Sequence, residues 1–154
     1  MRAHGRVLLS IVSPALLAAA AAFGAEAAAA PGGKAAAAAG PIRLVRVYYF
    51  RTDTRCASCR KIEAFTEEAI RSAFAKEIES GRVAWQVVNV DEARNRHFIH
   101  DYELYTKSVV VADVVDGGQA RWKNLAKIWQ LLDDRPAFLR YVQDEVRLYL
   151  EGGP

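Results

Sequence analysis

The 154 residues of this chain suit one domain. The chain carries 21 basic and 18 acidic residues, which leaves a formal net charge of +3 at pH 7. So small and evenly spread a surplus argues against a nucleic-acid-binding protein. Hydrophobic residues make up 52% of the chain, but the alanines of residues 1–40 raise that value. The composition therefore predicts an ordinary globular domain behind an unusual N-terminus.

The N-terminal residues 1–27 have the three parts of a secretory signal peptide. They comprise a positively charged start at residues 2–6, an almost unbroken apolar run at residues 7–23, and small residues at Ala25 and Ala27. A retained membrane anchor is the alternative, but the run is short for a spanning helix and rich in alanine. We expect cleavage after Ala27, no membrane span afterwards, and a periplasmic or otherwise exported protein. Disulfides persist in such compartments.

A low-complexity stretch follows the signal peptide. Residues 28–41 are rich in alanine, glycine and proline and have no apolar periodicity, so they are predicted to form a flexible linker. The folded domain is predicted to span residues 42–151, which is long enough to bury a core of its own.

The first half of this domain has the pattern of a β-α-β unit. Residues 44–50 are β-branched and aromatic, which predicts a strand. Residues 56–79 repeat apolar side chains at steps of three and four, which predicts a helix that Gly81 ends. Residues 83–90 are apolar on both faces, which is typical of a buried parallel strand. The crossover between the two strands should be right-handed.

The second half reads as a short helix, a hairpin and further helices. We predict a short helix at residues 93–102, a strand at 108–115, and a tight turn at Asp116-Gly117-Gly118 that leads into a strand at 119–123. Apolar spacing near Ile128 indicates another helical face, and Pro136 opens the last helix. The order β-α-β-α-β-β-α predicts an α/β fold with a central four-stranded mixed sheet flanked by helices.

The chain has only two cysteines, and they form the motif Cys56-Ala57-Ser58-Cys59. They lie where the first predicted strand gives way to a helix, so one helical turn should bring both sulfurs within bonding distance. Cys56 would lie at the helix N-terminus, where unpaired amides and the helix dipole stabilise a thiolate. We predict that Cys56 is the attacking nucleophile and that Cys59, one turn further and more buried, is the resolving thiol.

Two other interpretations of the cysteines remain open. A static disulfide across so small a loop would remove little chain entropy and would stabilise the fold weakly. A tetrahedral metal site could use Cys56 and Cys59 with His97 and His100, although the spacing is far from that of zinc fingers. The redox interpretation is favoured and needs no organic cofactor. Arg55, Arg60 and Lys61 add positive charge that should tune the pKa of the Cys56 thiol.

The element order, with C-x-x-C after the first strand, resembles the thioredoxin fold over about residues 44–150. Segments 47–70, 87–111 and 122–134 resemble a small bacterial thioredoxin-like family that is often labelled as a subunit of a nitrophenyl-compound nitroreductase. The resemblance implies a thiol–disulfide oxidoreductase with Cys56 and Cys59 as its redox pair. We expect a monomer that acts on a partner protein with an exchangeable disulfide or on a membrane electron donor. The alternative is a non-catalytic accessory subunit of a reductase, or a module that delivers a metal through the same thiols.

The active-site motif departs from that of ordinary thioredoxins. Those proteins have tryptophan before the first cysteine and Gly-Pro between the pair, where this chain has Arg55 and Ala57-Ser58. They also carry a buried acid six residues before the first cysteine, and here that position is Phe50.

The loop before the third strand departs from thioredoxins too. A cis-proline faces the disulfide there in thioredoxins, whereas this chain has Thr106-Lys107-Ser108. We expect a trans loop, because a cis bond without proline costs about 3 kcal/mol. The three residues are the predicted substrate loop, and Lys107 is expected to reach the disulfide and add to the positive field. These departures favour a dedicated partner over a broad disulfide reductant.

Overall fold

The structure is a computed structural model, and it describes residues 42–153. The predicted signal peptide at residues 1–27 and the predicted linker at residues 28–41 lie outside the described residues. Within residues 42–153, no helix combines the length and the apolar character that crossing a membrane requires.

Four strands form one mixed sheet in the order β2-β1-β3-β4. Strand β1 lies beside β2 in parallel and beside β3 in antiparallel orientation, and β3 pairs with β4 as an antiparallel hairpin. Their bounds are Arg43–Arg51 for β1, Val83–Asn89 for β2, Ser108–Val115 for β3 and Gly118–Asn124 for β4. The predicted four-stranded mixed sheet is confirmed.

In the part of the chain that the structure describes, four α-helices flank this sheet. They are α1 at Ala57–Ala73, α2 at Ala75–Glu79, α3 at His97–Asp101 and α4 at Arg135–Leu150, with 3-10 helices at Ala93–Asn95 and Ala126–Leu131. The prediction of one continuous helix over residues 56–79 was wrong at Phe74, which leaves helical geometry at φ −127° and ψ 30°. The Phe74 ring is 3% exposed and packs in the core. The interruption between α1 and α2 therefore coincides with a buried aromatic ring.

The predicted helix at residues 93–102 is likewise two elements. A 3-10 turn at Ala93–Asn95 precedes the single-turn helix α3. The Asn95 side-chain amide donates a hydrogen bond of 2.8 Å to the Asn89 carbonyl, which ties this turn to the end of β2. The helical face expected near Ile128 is present, but it belongs to a 3-10 helix at Ala126–Leu131 and not to an α-helix.

The core has two halves because the sheet is covered on both faces. Val45, Val47 and Tyr49 of β1 pack in the cluster that includes residues of α1 and α4. Tyr48 and Phe50 face the other way and pack against aromatic residues of the α3 segment. Burial on both faces explains why the β1 sequence is an almost continuous apolar run.

The hairpin between β3 and β4 turns at two residues with positive φ. Asp116 has φ 50° and Gly117 has φ 81°, the backbone signs of a type I′ turn. Val115 and Gly118 are the paired residues that close it. The predicted hairpin turn is confirmed, and it brings β4 back along β3.

Candidate functional site

Cys56 and Cys59 form a disulfide at the start of α1, with Cα atoms 5.0 Å apart. Cys56 is the N-cap of the helix, with φ −81° and ψ 167°, and α1 begins at the next residue. The prediction that one helical turn brings the two sulfurs within bonding distance is confirmed.

The two cysteines differ in exposure and in hydrogen bonding. Cys56 is exposed, whereas Cys59 is 1% exposed. The Cys59 backbone amide donates a hydrogen bond of 3.0 Å to the Cys56 sulfur. In the reduced protein, the same amide and the helix N-terminus are placed to stabilise a thiolate on Cys56. The accessible sulfur is therefore also the one that the helix favours as an anion.

Tyr49 anchors the second cysteine from the sheet. Its side chain is fully buried, and its hydroxyl donates a hydrogen bond of 2.9 Å to the Cys59 carbonyl. The pKa of Tyr49 is raised to about 12, mainly because the side chain is buried and also because Glu63 is nearby, while Arg55 and Arg51 act in the opposite direction. The hydroxyl therefore stays protonated and keeps donating at neutral pH. Tyr49 was not predicted as a site residue from the sequence, although alternation along β1 places it on the face that α1 covers.

The cations predicted to tune Cys56 are partly engaged elsewhere. Arg55 forms an ion pair of 2.6 Å with Glu63, and Lys61 lies 3.4 Å from Asp133. Arg60 donates a hydrogen bond of 3.0 Å to the Arg55 carbonyl. Glu63 thus offsets the positive charge of Arg55 beside the cysteines. The tuning role of these residues stays a prediction.

The predicted substrate loop lies at the start of β3. Ser108 pairs with Phe50 of β1, and its hydroxyl donates a hydrogen bond of 3.0 Å to the Thr106 carbonyl. Thr106 is exposed and Lys107 is half-buried. Phe50, which holds the position of the thioredoxin acid, is 1% exposed and stacks on Tyr48.

Thr106 and Lys107 also line a cavity of about 260 Å³, which we name the end cavity. It lies beyond the C-terminal ends of β1 and β2. Its remaining lining residues are Phe50, Arg51, Thr52, Val90, Asp91, Ile99, Leu104 and Tyr105. Neither cysteine belongs to this lining. The end cavity was not anticipated from the sequence, because it forms between three segments that are far apart along the chain.

The four residues of the alternative metal site are not brought together. Among residues 42–153, no group of three or more His, Cys, Asp or Glu side chains is placed to hold a metal ion. His97 lies against the Phe98 ring, and the His100 side chain is 99% exposed. The physical reason is the sheet itself, since Phe98 packs on the face opposite to the one that α1 covers.

Comparisons with known proteins return structural neighbours only. No protein-family model and no curated protein sequence matches the chain. A thioredoxin from Fasciola hepatica is 20% identical, with a TM-score of 0.37, and the match covers 64% of this chain and 81% of that one. An uncharacterized thioredoxin-like protein from Porphyromonas gingivalis is 11% identical, with a TM-score of 0.29, over 63% of this chain and 76% of that one. The fold is thioredoxin-like. That assignment rests on the element order, the sheet order and the cysteine pair after β1.

The Tyr49 hydroxyl gives a prediction on alkaline stability. The pKa of Tyr49 is raised from 10.0 to about 12, so the unfolded chain loses this proton first. The stabilisation is complete below pH 10 and is lost as the pH rises towards 12. We expect Tyr49→Phe to lower the free energy of unfolding by about 1 kcal/mol near neutral pH, through the lost hydrogen bond. The variant should also lose less stability than the wild type between pH 10 and 12.

Denaturant unfolding at a series of pH values measures both effects. Tyr105→Phe is the matched control, because Tyr105 is 94% exposed. Equal alkaline losses of stability in the two variants would contradict the role of Tyr49.

Proposed function

We propose that this chain is an exported thiol–disulfide oxidoreductase that exchanges electrons with a partner protein. The observation that supports it most directly is the asymmetric pair, an exposed Cys56 bonded to a buried Cys59 at the N-terminus of α1. An exposed thiolate with a resolving thiol behind it is the arrangement that reversible exchange requires. A purely structural bridge across so small a loop would stabilise the fold only weakly.

The exchange follows from the two sulfurs. In the reduced protein, the Cys56 thiolate attacks one sulfur of a partner disulfide, and the other partner sulfur leaves as a thiolate that takes up a proton. Cys59 then loses its proton and attacks the Cys56 sulfur, which releases the second partner thiol. Two electrons have moved from the cysteine pair to the partner. Of the two protons that the partner thiols take up, one is released by Cys59 and the other comes from the solvent, which received the Cys56 proton when the thiolate formed. The reverse sequence reduces this protein at the expense of a partner dithiol or a membrane electron donor.

A second candidate is an accessory subunit of a partner reductase, as the resemblance to a nitroreductase-subunit family suggests. The exposed side chains of Tyr105 and Ile99, which line the end cavity together, favour this candidate because adjacent exposed apolar groups suit a contact surface. In that role the cysteines would not need to cycle. Replacing the cysteines separates the two functions.

The trapping experiment uses oxidised glutathione as a disulfide of known chemistry. In Cys59→Ser, Cys56 should attack it and remain in a mixed disulfide, because the resolving thiol is gone. Cys56→Ser is the matched control, since the remaining Cys59 is 1% exposed. We expect adduct formation to be at least about tenfold faster in Cys59→Ser, because access and thiolate character control the rate. Intact-mass measurement over time reports both rates. Equal rates, or no adduct in either variant, would contradict the proposed roles.

The reduction potential is a separate expectation. The cations predicted to surround Cys56 would favour its thiolate beyond what a helix N-terminus alone provides; they are Arg55, Arg60, Lys61 and Lys107. Each of these stabilises the reduced form. We therefore expect a potential less negative than that of thioredoxin, which is about −270 mV. Equilibration in glutathione buffers, followed by thiol counting, measures the value. A potential at or below that of thioredoxin would show that the positive surroundings have no net effect.

Export is tested on the full chain produced in bacteria. The signal peptide predicts a periplasmic product whose N-terminus is Ala28. Ala27→Leu should block cleavage, since signal peptidase reads small residues at this position, and should leave a longer product. Cell fractionation with intact-mass measurement distinguishes the two forms. A wild-type protein that keeps residues 1–27 would contradict the cleavage.

A further inference from the structure

The end cavity combines an apolar interior with an exposed aromatic residue among its lining. Phe50 and Val90 are buried within its lining, whereas Ile99 is 42% exposed and Tyr105 is 94% exposed. Large apolar side chains left this accessible beside a cavity are typical of a contact surface. A volume of about 260 Å³ lies below the usual range of sites for drug-sized ligands. The cavity therefore suits a single side chain better than a large ligand.

The charges around the end cavity are not balanced. Its lining includes two cations, Arg51 and Lys107, and neither forms an ion pair with a carboxylate among residues 42–153. Asp91 is the one acid in the lining, and its Oδ2 accepts a hydrogen bond of 2.8 Å from the Asp53 amide. Two positive charges against one negative charge, next to apolar walls, favour an anionic side chain over a neutral or cationic one.

The end cavity is also close to the redox pair along the chain. Thr52 lines the cavity and Cys56 follows four residues later, so their Cα atoms are at most about 14 Å apart. Arg51 acts electrostatically on the Tyr49 hydroxyl, which is hydrogen-bonded to Cys59. A partner segment of about four extended residues can therefore reach from Cys56 to the cavity.

We propose that the end cavity receives an acidic side chain of the partner polypeptide, located within about four residues of the partner's reactive cysteine. Lys107 and Arg51 supply the counter-charges, and Tyr105 contacts the neighbouring part of the segment. This inference rests on the proposed function, since it defines which disulfides that function uses. It gives the chain a preference among partners that the cysteines alone do not provide.

The test uses three synthetic peptides, each with the same disulfide to a small thiol. The peptides carry Glu, Gln or Lys at the position four residues from the cysteine and are otherwise identical. Single-turnover exchange with the reduced wild-type protein should be about fivefold faster for the Glu peptide than for the Lys peptide, as expected for one partly exposed charge pair. Lys107→Gln should lower this ratio towards one, with Arg51 left as the remaining counter-charge. Added salt should lower the wild-type ratio.

Lys76→Gln is the matched control. It removes the same charge from an exposed position on α2, which is not part of the end-cavity lining. This variant should keep the wild-type ratio. The ratio between peptides is the readout, because Lys107 is also expected to affect the reactivity of Cys56 towards all peptides alike.

Equal rates for the three peptides, or an unchanged ratio in Lys107→Gln, would overturn the acidic-partner inference and leave the oxidoreductase function intact. Failure of the reduced protein to exchange with any of the peptides would overturn both proposals.

Discussion

The constraint on which the rest of this structure depends is the central position of β1. Its backbone pairs with β2 along one side and with β3 along the other, and its side chains are buried on both faces of the sheet. A strand held in this way fixes where the chain emerges at its C-terminal end. The cysteine loop leaves from that point, and Tyr49 reaches from the same strand to the Cys59 carbonyl. The sheet and α1 together therefore fix the position of the disulfide.

Much of this arrangement could be predicted from local pattern. The bounds of β3 and the turn at Asp116 followed from apolar runs and turn residues, and the place of Cys56 followed from a motif next to a strand. These features depend on neighbours along the chain. The break at Phe74 did not follow, because helical periodicity continues through it and the sequence does not show that its ring is buried in the core where α1 ends. Tertiary packing outweighed local propensity there.

The electrostatics of the site were harder to predict than its fold. The sequence shows Arg55 beside Cys56 but not that Glu63, eight residues later, forms an ion pair with it. Likewise, the sequence shows that Phe50 replaces the buried acid of thioredoxins, but it does not show which acids of this chain are buried. Asp113 is 1% exposed but lies opposite Val45, about 16 Å along β1 from Phe50. Asp113 forms ion pairs with Arg43 and Arg121, so its charge is neutralised at the end of the sheet away from the cysteines.

The sulfur of Cys56 takes the place that a serine or threonine oxygen usually has at a helix N-cap. The redox state of Cys56 and the stability of the α1 N-terminus are therefore linked in one thermodynamic cycle. A thiolate accepts the hydrogen bond from the Cys59 amide more strongly than a disulfide sulfur does, so the cap strengthens on reduction. Each 1 kcal/mol by which the reduced cap exceeds the oxidised one appears as about 20 mV in the two-electron potential. This difference in capping free energy would also appear in unfolding measurements. There it is the additional stability that the N-cap of α1 gives to the reduced protein.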